Sequence, residues 1–135
     1  MTTPVRARGA TLREAFARTV LALFARAFDL DSIQEREVRE VRAHGETAEA
    51  LLANWIDECL YVHEVEGFAW RRIDFALFEA AARAGAEPMR LHAFLHGEEI
   101  DPDRQRGGAS AITGVSPERV SLRPIDGGYE VVLEA

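Results

Sequence analysis

The chain has 135 residues and a mass of 15.0 kDa, the length of one ordinary domain, so we expect a single domain over residues 1–135. Its hydrophobic fraction of 47% argues against wholesale disorder. Its net charge of −7, spread over both halves, offers no obvious electrostatic footprint for nucleic acid, so we expect no direct nucleic-acid binding. All 16 basic residues are arginine, which excludes a P-loop nucleotidase and a ligase that carries a nucleotide on its own lysine.

The N-terminal region predicts a short strand followed by an amphipathic helix. Residues 5–8 are short and extended, and a glycine ends them. Thr11 and Glu14 have the spacing of a capping box, in which the threonine accepts a hydrogen bond and the glutamate reaches back. Apolar residues then recur at helical spacing, which predicts a helix from 12 to about 28. A poorly alternating segment, residues 38–43, is predicted to be a strand.

The clearest element is a second amphipathic helix that follows a turn at residues 45–47. Its apolar side chains fall on one helical face, which we expect to pack on a core. That face consists of Leu51, Leu52, Trp55, Ile56, Cys59, Leu60 and His63. The opposite face is polar and carries Glu49, Asn54, Asp57 and Glu64. Gly67 stands where a left-handed C-terminal cap is expected.

After this helix the hydrophobic period changes from 3.6 to 2, which indicates strands. Alternating segments at residues 73–78 and 89–96 flank a Gly-Pro turn at 84–88 and predict a hairpin. Residues 111–113 are a further short strand candidate, and residues 120–133 predict a terminal hairpin around an Asp-Gly-Gly turn. No internal repeat is evident. We therefore predict an α+β fold, with two amphipathic helices packed on one face of a mostly antiparallel β-sheet.

The histidines and the single cysteine offer little chemistry. His92 and His96 share a strand face but would lie roughly 13 Å apart, too far to bind one metal ion. His63, on the apolar helix face, is better explained as a hydrogen-bonded packing residue. Cys59 lies in the same stripe and is interpreted as a buried small hydrophobe. No segment is apolar enough to span a bilayer or to act as a secretory signal, so we expect a cytoplasmic protein.

Carboxylates at two places suit a cation that prefers oxygen ligands, such as calcium or magnesium. Asp101 and Asp103 lie in a loop, where turn formation is the simpler explanation. Glu134 and the terminal carboxylate of Ala135 stand at the end of a strand, where their oxygens could converge on one cation. By spacing alone, this pair is a solvated chain terminus.

Three blocks of the sequence resemble the archease family, and they occur in the family's order. Residues 45–68, GETAEALLANWIDECLYVHEVEGF, resemble its central helix. Residues 9–16, GATLREAF, resemble its first turn and helix, and residues 96–104, HGEEIDPDR, resemble its Gly-Glu-x-x-Asp loop. The helix block is fairly specific, whereas the other two are weak when taken singly.

The resemblance implies a small α+β protein that is not itself an enzyme. Family members act as protein cofactors of the RNA ligase that seals tRNA halves during splicing or RNA repair, and promote its guanylylation and its multiple turnover. The implied partner is therefore an RNA ligase. Some members were described as chaperones of RNA methyltransferases, which makes an interaction module or chaperone the alternative. The resemblance implies neither direct nucleic-acid binding nor a membrane.

The resemblance also implies a divalent metal, calcium, at a site built from an N-terminal Asp, the penultimate Asp and the last residue. In this sequence the penultimate position is Glu134 and the last is Ala135, while the N-terminal Asp falls near Thr2. The family's Lys-Ala-Val-Thr segment appears as residues 110–113, SAIT, without its lysine. Either the start of the natural protein is missing, or the chain is a divergent member whose activity is weakened or whose metal site is lost.

Overall fold

The computed structural model describes residues 4–26, 28–81, 87–100 and 119–134. Over these residues the chain forms β1 (Val5–Gly9), α1 (Leu12–Ala25), β2 (Glu37–Gly45), α2 (Ala48–Glu66), β3 (Phe68–Glu79), β4 (Met89–Glu99), β5 (Val120–Ile125) and β6 (Gly128–Leu133). A short 3-10 turn, Leu30–Ser32, lies between α1 and β2. None of the helices in the described ranges is long and apolar enough to cross a membrane.

The strands form two separate three-stranded antiparallel sheets. The first sheet has the order β1-β6-β5, and the second has the order β2-β4-β3. Helix α1 packs mainly on β1 and β6, and α2 packs mainly on β2. The predicted α+β class with antiparallel strands is confirmed, but the strands are divided between two sheets where the sequence predicted one. Alternation shows which face of a strand is buried, and does not show which strand lies beside it.

The two sheets are copies of one structural unit. Each unit is a strand and a helix completed by a hairpin, β5-β6 in the first and β3-β4 in the second, and each places the last strand in the centre. The second unit is inserted into the first, between α1 and β5. Residues 5–11 and 41–47 share the pattern Val-Arg-Ala-x-Gly-x-Thr at equivalent places. An internal repeat is therefore present. The sequence match is only seven residues long, and the shared topology of the two units is the main evidence for the repeat.

Equivalent corners lead from strand to helix in both units. Thr11 and Thr47 cap the helices, since their hydroxyls accept the N–H three residues later at 3.1 and 3.0 Å. The predicted threonine cap at Thr11 is confirmed, and the Glu14 side chain reaches back to the N–H of Ala10 at 3.4 Å. Both corners hold a glycine, because an added Cβ would overlap backbone atoms of the helix that follows.

The first helix ends three residues before the predicted boundary. The N–H of Arg26 bonds to the carbonyls of Leu23 and Phe24, which tightens the last turn. Phe28 lies beyond the helix, yet it is buried and its ring stacks on that of Phe24 with centroids 5.9 Å apart. The apolar pattern therefore continues past the helix end. At the end of α2 the predicted left-handed cap is confirmed, because Gly67 has φ 63°.

Strand β3 is longer than the sequence predicted. It begins at Phe68, and Phe68, Ala69 and Trp70 are all buried, so this end shows no alternation. Two register shifts, after Trp70 and after Phe75, further break the period of two. The terminal hairpin is confirmed as β5-β6. The predicted strand at residues 111–113 lies outside the described residues.

A core of aromatic and aliphatic side chains joins the two units. The indole of Trp55 on α2 is fully buried and donates to the carbonyl of Phe16 on α1 at 3.0 Å. The Phe24 ring of α1 lies 4.0 Å from the Trp70 ring of β3, centroid to centroid. Each such side chain contributes about 2–3 kcal/mol by burial. The core thus holds the two sheets in one fixed relation.

Candidate functional site at the open end of the first sheet

The register of the first sheet brings its chain ends together. Leu133 of β6 is opposite both Val5 of β1 and Val120 of β5. The start of β1, the start of β5 and the end of β6 therefore lie side by side. Glu134 follows at this end and is exposed, whereas Leu133 beside it is fully buried. The sheet thus presents the carboxylate of Glu134 from a firmly anchored position.

The described residues supply only part of the predicted metal site. They contain no group of three or more His, Cys, Asp or Glu side chains placed to hold a metal ion. Calcium takes six to eight oxygen ligands, of which Glu134 offers two at most. The proposed partner donor, the carboxylate of Ala135, lies outside the described residues, as do Asp101, Asp103 and Thr2. The metal site of Glu134 and Ala135 therefore stays a prediction.

Gly97 and Glu98, the first two residues of the Gly-Glu-x-x-Asp motif, have a structural role. A Cβ at Gly97 would overlap the carbonyl of Ala69 on β3, so the two strands approach closely only because of the glycine. The carboxylate of Glu98 is buried and accepts the backbone N–H of Gln34 at 2.6 Å. The carbonyl of Gly97 accepts the N–H of Arg36 at 2.9 Å. These residues fasten the segment before β2 to β4.

His63 and Cys59 are buried in the core, as the sequence predicted. The Nδ1 atom of His63 lies 3.1 Å from the carbonyl of Phe68, so the neutral ring donates at this position. Its ring also makes edge contacts with Phe24 and Phe28. Burial lowers the pKa of His63 and raises the pKa of the Cys59 thiol, which favours the neutral form of both. Neither residue is available to a substrate.

His92 and His96 lie on the same outward face of β4, and each faces a different neighbouring strand. The Nε2 atom of His96 is 2.8 Å from a carboxylate oxygen of Asp74 on β3, and that of His92 faces Glu40 on β2. These contacts have the distance of an ion pair without the angles of a hydrogen bond. Each histidine thus pairs with a carboxylate on a different neighbouring strand, and the two histidines do not share a site.

Sequence reasoning missed a buried carboxylate on the outer face of the first sheet. Glu130 of β6 is 2% exposed and lies between two arginines, with Arg123 Nε and Arg8 Nε each 2.9 Å from its oxygens. The hydrogen bonds from Arg123, and then those from Arg8, lower the pKa of Glu130. Both arginines are largely exposed, so the carboxylate is covered by guanidinium groups rather than by the core. No local signal reveals this cluster, because it depends on the register of three strands.

Comparison with known families identifies a match over almost the whole chain. The model of the "Archease protein family (MTH1598/TM1083)" matches residues 3–133. This range covers both structural units and both sheets. The match therefore concerns the complete arrangement described above, and is not confined to the helix block.

Three curated relatives from archaea share 30–41% of their aligned residues with this chain. A "Protein archease" from Pyrococcus abyssi is 34% identical over 100 residues, covering 74% of this chain and 67% of the relative. One from Thermococcus gammatolerans is 41% identical over the same coverage. Another, from Pyrobaculum calidifontis, is 30% identical over 122 residues, covering 90% of this chain and 80% of the relative.

A solved structure shares the fold. The solution structure of Methanobacterium thermoautotrophicum protein 1598 superimposes with a TM-score of 0.68 and covers 100% of this chain and 96% of the other. At 23% identity, this likeness supports the arrangement of helices and sheets alone. The family match and the archaeal relatives carry the assignment further: this chain belongs to the archease family.

Proposed function

We propose that this protein is a non-enzymatic cofactor that activates an RNA ligase in tRNA splicing or RNA repair. It would promote guanylylation of the ligase and its repeated turnover. Membership of the archease family, over residues 3–133, is the observation that carries the proposal. The chain has no lysine and so cannot itself carry a nucleotide on that residue; in this proposal the nucleotide is carried by the partner ligase.

The chemistry of the described side chains agrees with a cofactor role. A covalent catalyst needs an accessible nucleophile beside a base. Within the described ranges, the cysteine and the most buried histidine both lie in the core. The half-buried histidines of β4, His92 and His96, face carboxylates across strands and have no nucleophile among those contacts. We therefore assign the chemical step to the partner ligase.

We assign the contact with the ligase to the carboxylate end of the first sheet. Glu134 follows a residue that is paired on both sides, with Val5 and with Val120. Such anchoring limits the conformational entropy lost when the carboxylate enters a partner's cleft. In this proposal Glu134 and the Ala135 carboxylate reach the metal and nucleotide site of the ligase, where they orient its charged groups.

A guanylylation assay with the ligase of the same organism and labelled GTP tests this role. The wild-type protein should accelerate formation of the ligase–GMP adduct. Glu134→Gln should reduce that acceleration by about tenfold, because it removes one charge-assisted contact. Asp126→Asn is the matched control. It removes an exposed carboxylate from the turn at the opposite end of the same hairpin, and it should leave the acceleration unchanged.

The absence of any acceleration by the wild-type protein would refute the ligase role. Equal effects of Glu134→Gln and Asp126→Asn would refute the assignment to this end of the sheet while leaving the ligase role intact. Thermal unfolding of each variant separates these outcomes from loss of the fold.

The alternative is an interaction module or chaperone, for example of an RNA methyltransferase, that keeps the fold without the metal site. Two departures from the family pattern favour it. Thr2 stands near the expected position of the N-terminal Asp, and Ser110 stands where the family has a lysine. Co-purification from the native organism distinguishes the two readings. A ligase in the purified complex supports the first, and a methyltransferase without a ligase supports the second.

A further inference from the structure

The outer strand of the first sheet, β1, has one edge that pairs with β6 and one that does not. The carbonyl of Arg8 accepts a hydrogen bond from the Arg18 guanidinium of α1 at 3.1 Å, so it points away from β6. Backbone groups alternate in direction along an antiparallel strand, so the groups of Arg6 point the same way. Both residues thus offer backbone donors and acceptors along this edge, which pairs with no other strand in the described part of the chain.

An open groove lies between this edge and α1. Its volume is about 620 Å³. The residues that define it are Arg6, Arg8 and Glu130 from the sheet and Arg18, Leu21 and Ala22 from the helix. Leu21 and Ala22 are only partly buried, which leaves apolar surface at the bottom of the groove. A groove beside an unpaired strand edge is the setting in which a peptide adds as an extra strand.

The groove is basic although the molecule is acidic. Three arginines line it, Arg6, Arg8 and Arg18, against one lining carboxylate, Glu130. In the described part of the chain, Arg8 pairs with Glu130 and Arg18 pairs with Glu14. Arg6 is exposed and forms no ion pair within the described ranges. The Arg8 and Arg18 side chains are 70% and 59% exposed. Guanidinium donors therefore remain free to meet carboxylates of a partner.

The second unit provides an internal comparison, because each residue of this corner has an equivalent 36 positions later. Asn54 Nδ2 donates to the carbonyl of His44 at 2.7 Å, as Arg18 does to Arg8. The residues equivalent to Leu21 and Ala22 are Asp57 and Glu58, both exposed. The fold therefore requires a donor at this corner, but it requires neither an arginine at the positions of Arg8 and Arg18 nor the apolar surface.

We propose that the β1 edge binds an extended, acidic segment of a partner protein by strand addition. The segment's backbone pairs with Arg6 and Arg8, and its apolar side chains cover Leu21 and Ala22. Its carboxylates bind the guanidinium groups of Arg6 and Arg18. When Arg18 turns to a carboxylate, the carbonyl of Arg8 becomes free to accept an N–H from the segment.

Charge and backbone chemistry select this occupant over others. A second copy that paired through β1 would place arginines opposite arginines, which is unfavourable. A nucleic acid has no alternating N–H and C=O groups to continue the sheet. Glu134 is not among the residues that line the groove, although the register places it two positions beyond Val132, the residue opposite Arg6. The inference does not depend on the proposed ligase role.

Fluorescence anisotropy with a labelled, capped peptide of alternating valine and glutamate, seven residues long, tests the proposal. Saturable binding should shift the amide resonances of β1 in a heteronuclear NMR spectrum. The double variant Arg6→Glu/Arg18→Gln should weaken binding by about tenfold or more, since two charge-assisted contacts are lost. Arg42→Glu, at the position equivalent to Arg6, is the matched control and should leave the affinity unchanged.

Backbone pairing is tested separately from charge. Arg6→Pro removes an N–H that the sheet does not use, so the fold should persist while peptide binding is lost. A peptide with alternate backbone nitrogens methylated should bind at least about tenfold more weakly. Equal binding of the methylated peptide, or of a peptide with lysine in place of glutamate, would overturn the proposal. So would an equal loss caused by Arg42→Glu, or concentration-dependent dimers that pair through β1.

Discussion

His63 lies among the rings of Phe24 and Phe28, and these surroundings set its charge. Burial is the main cause that lowers its pKa, while the hydrogen bond to the Phe68 carbonyl and the nearby Glu64 act in the opposite direction. The folded state therefore holds the ring neutral, whereas the unfolded chain takes up a proton near the ordinary value of 6.5.

We predict that the His63 contribution to stability is complete above pH 6.5 and is lost as the pH falls through that value. The loss ends once the pH is below the lowered pKa of the folded state. Thermal unfolding between pH 7.5 and 5 should show a smaller decline for His63→Gln than for the wild type. The other histidines are present in both proteins, so the difference isolates His63. Identical declines would contradict the prediction.

Substitutions at two glycines distinguish the cost of separating two close strands from the cost of an unfavourable backbone conformation. Gly97→Ala should lower the free energy of unfolding by about 3 kcal/mol, because its Cβ would overlap the Ala69 carbonyl. Gly67→Ala should cost about 1 kcal/mol, because φ is 63° there but the space around it is open. Denaturant unfolding of both variants measures the difference. Equal costs would mean that β3 and β4 can move apart without penalty.

At the scale of secondary-structure elements, the sequence predicted the helices best. Thr11 and Thr47 each precede an apolar period of 3.6, and both signals act within a few residues. The strands were harder to define. In β3 the first three residues are all buried and two register shifts follow, so the period of two appears only in its second half.

The equivalent caps of α1 and α2 should contribute equally. Thr11→Ala and Thr47→Ala should each lower the free energy of unfolding by about 1 kcal/mol, because each leaves a backbone N–H of the first turn without its acceptor. The caps belong to different units, so the double variant should lose the sum of the two. Thr→Ser at each position is the control and should cost little. Two separate unfolding transitions in either variant would contradict a shared core.

At the scale of the whole molecule, a ligand that binds only the folded state raises its stability. If Glu134 contributes to a calcium site, calcium at 100 times its Kd should raise the free energy of unfolding by about 2.7 kcal/mol. Glu134→Gln should abolish the increase, and Asp126→Asn should retain it. Thermal unfolding with calcium and with a chelator measures the effect. No increase in the wild type would favour the interaction-module alternative.

The candidate site was predicted only in part, for a reason that lies in the topology. The sequence placed Glu134 at the end of a strand, because the terminal hairpin is a local feature. It did not show that β1 and β5 begin at the same end, since that depends on Leu133 pairing with both Val5 and Val120. The cluster around Glu130 was not predicted for the same reason: Arg8, which contacts Glu130, lies 122 positions earlier in the chain.

Local sequence patterns were enough to predict the α+β class, both helices, the threonine cap of α1, the glycine that ends α2, and the terminal hairpin. These features arise from interactions between residues that are near one another in the chain. Only contacts between distant segments determine that the described strands form two sheets, that one unit is inserted into the other, and that one edge of β1 pairs with no strand in the described ranges. These features depend on pairing between distant segments, and burial of one common core selects that pairing from the alternatives that local patterns allow.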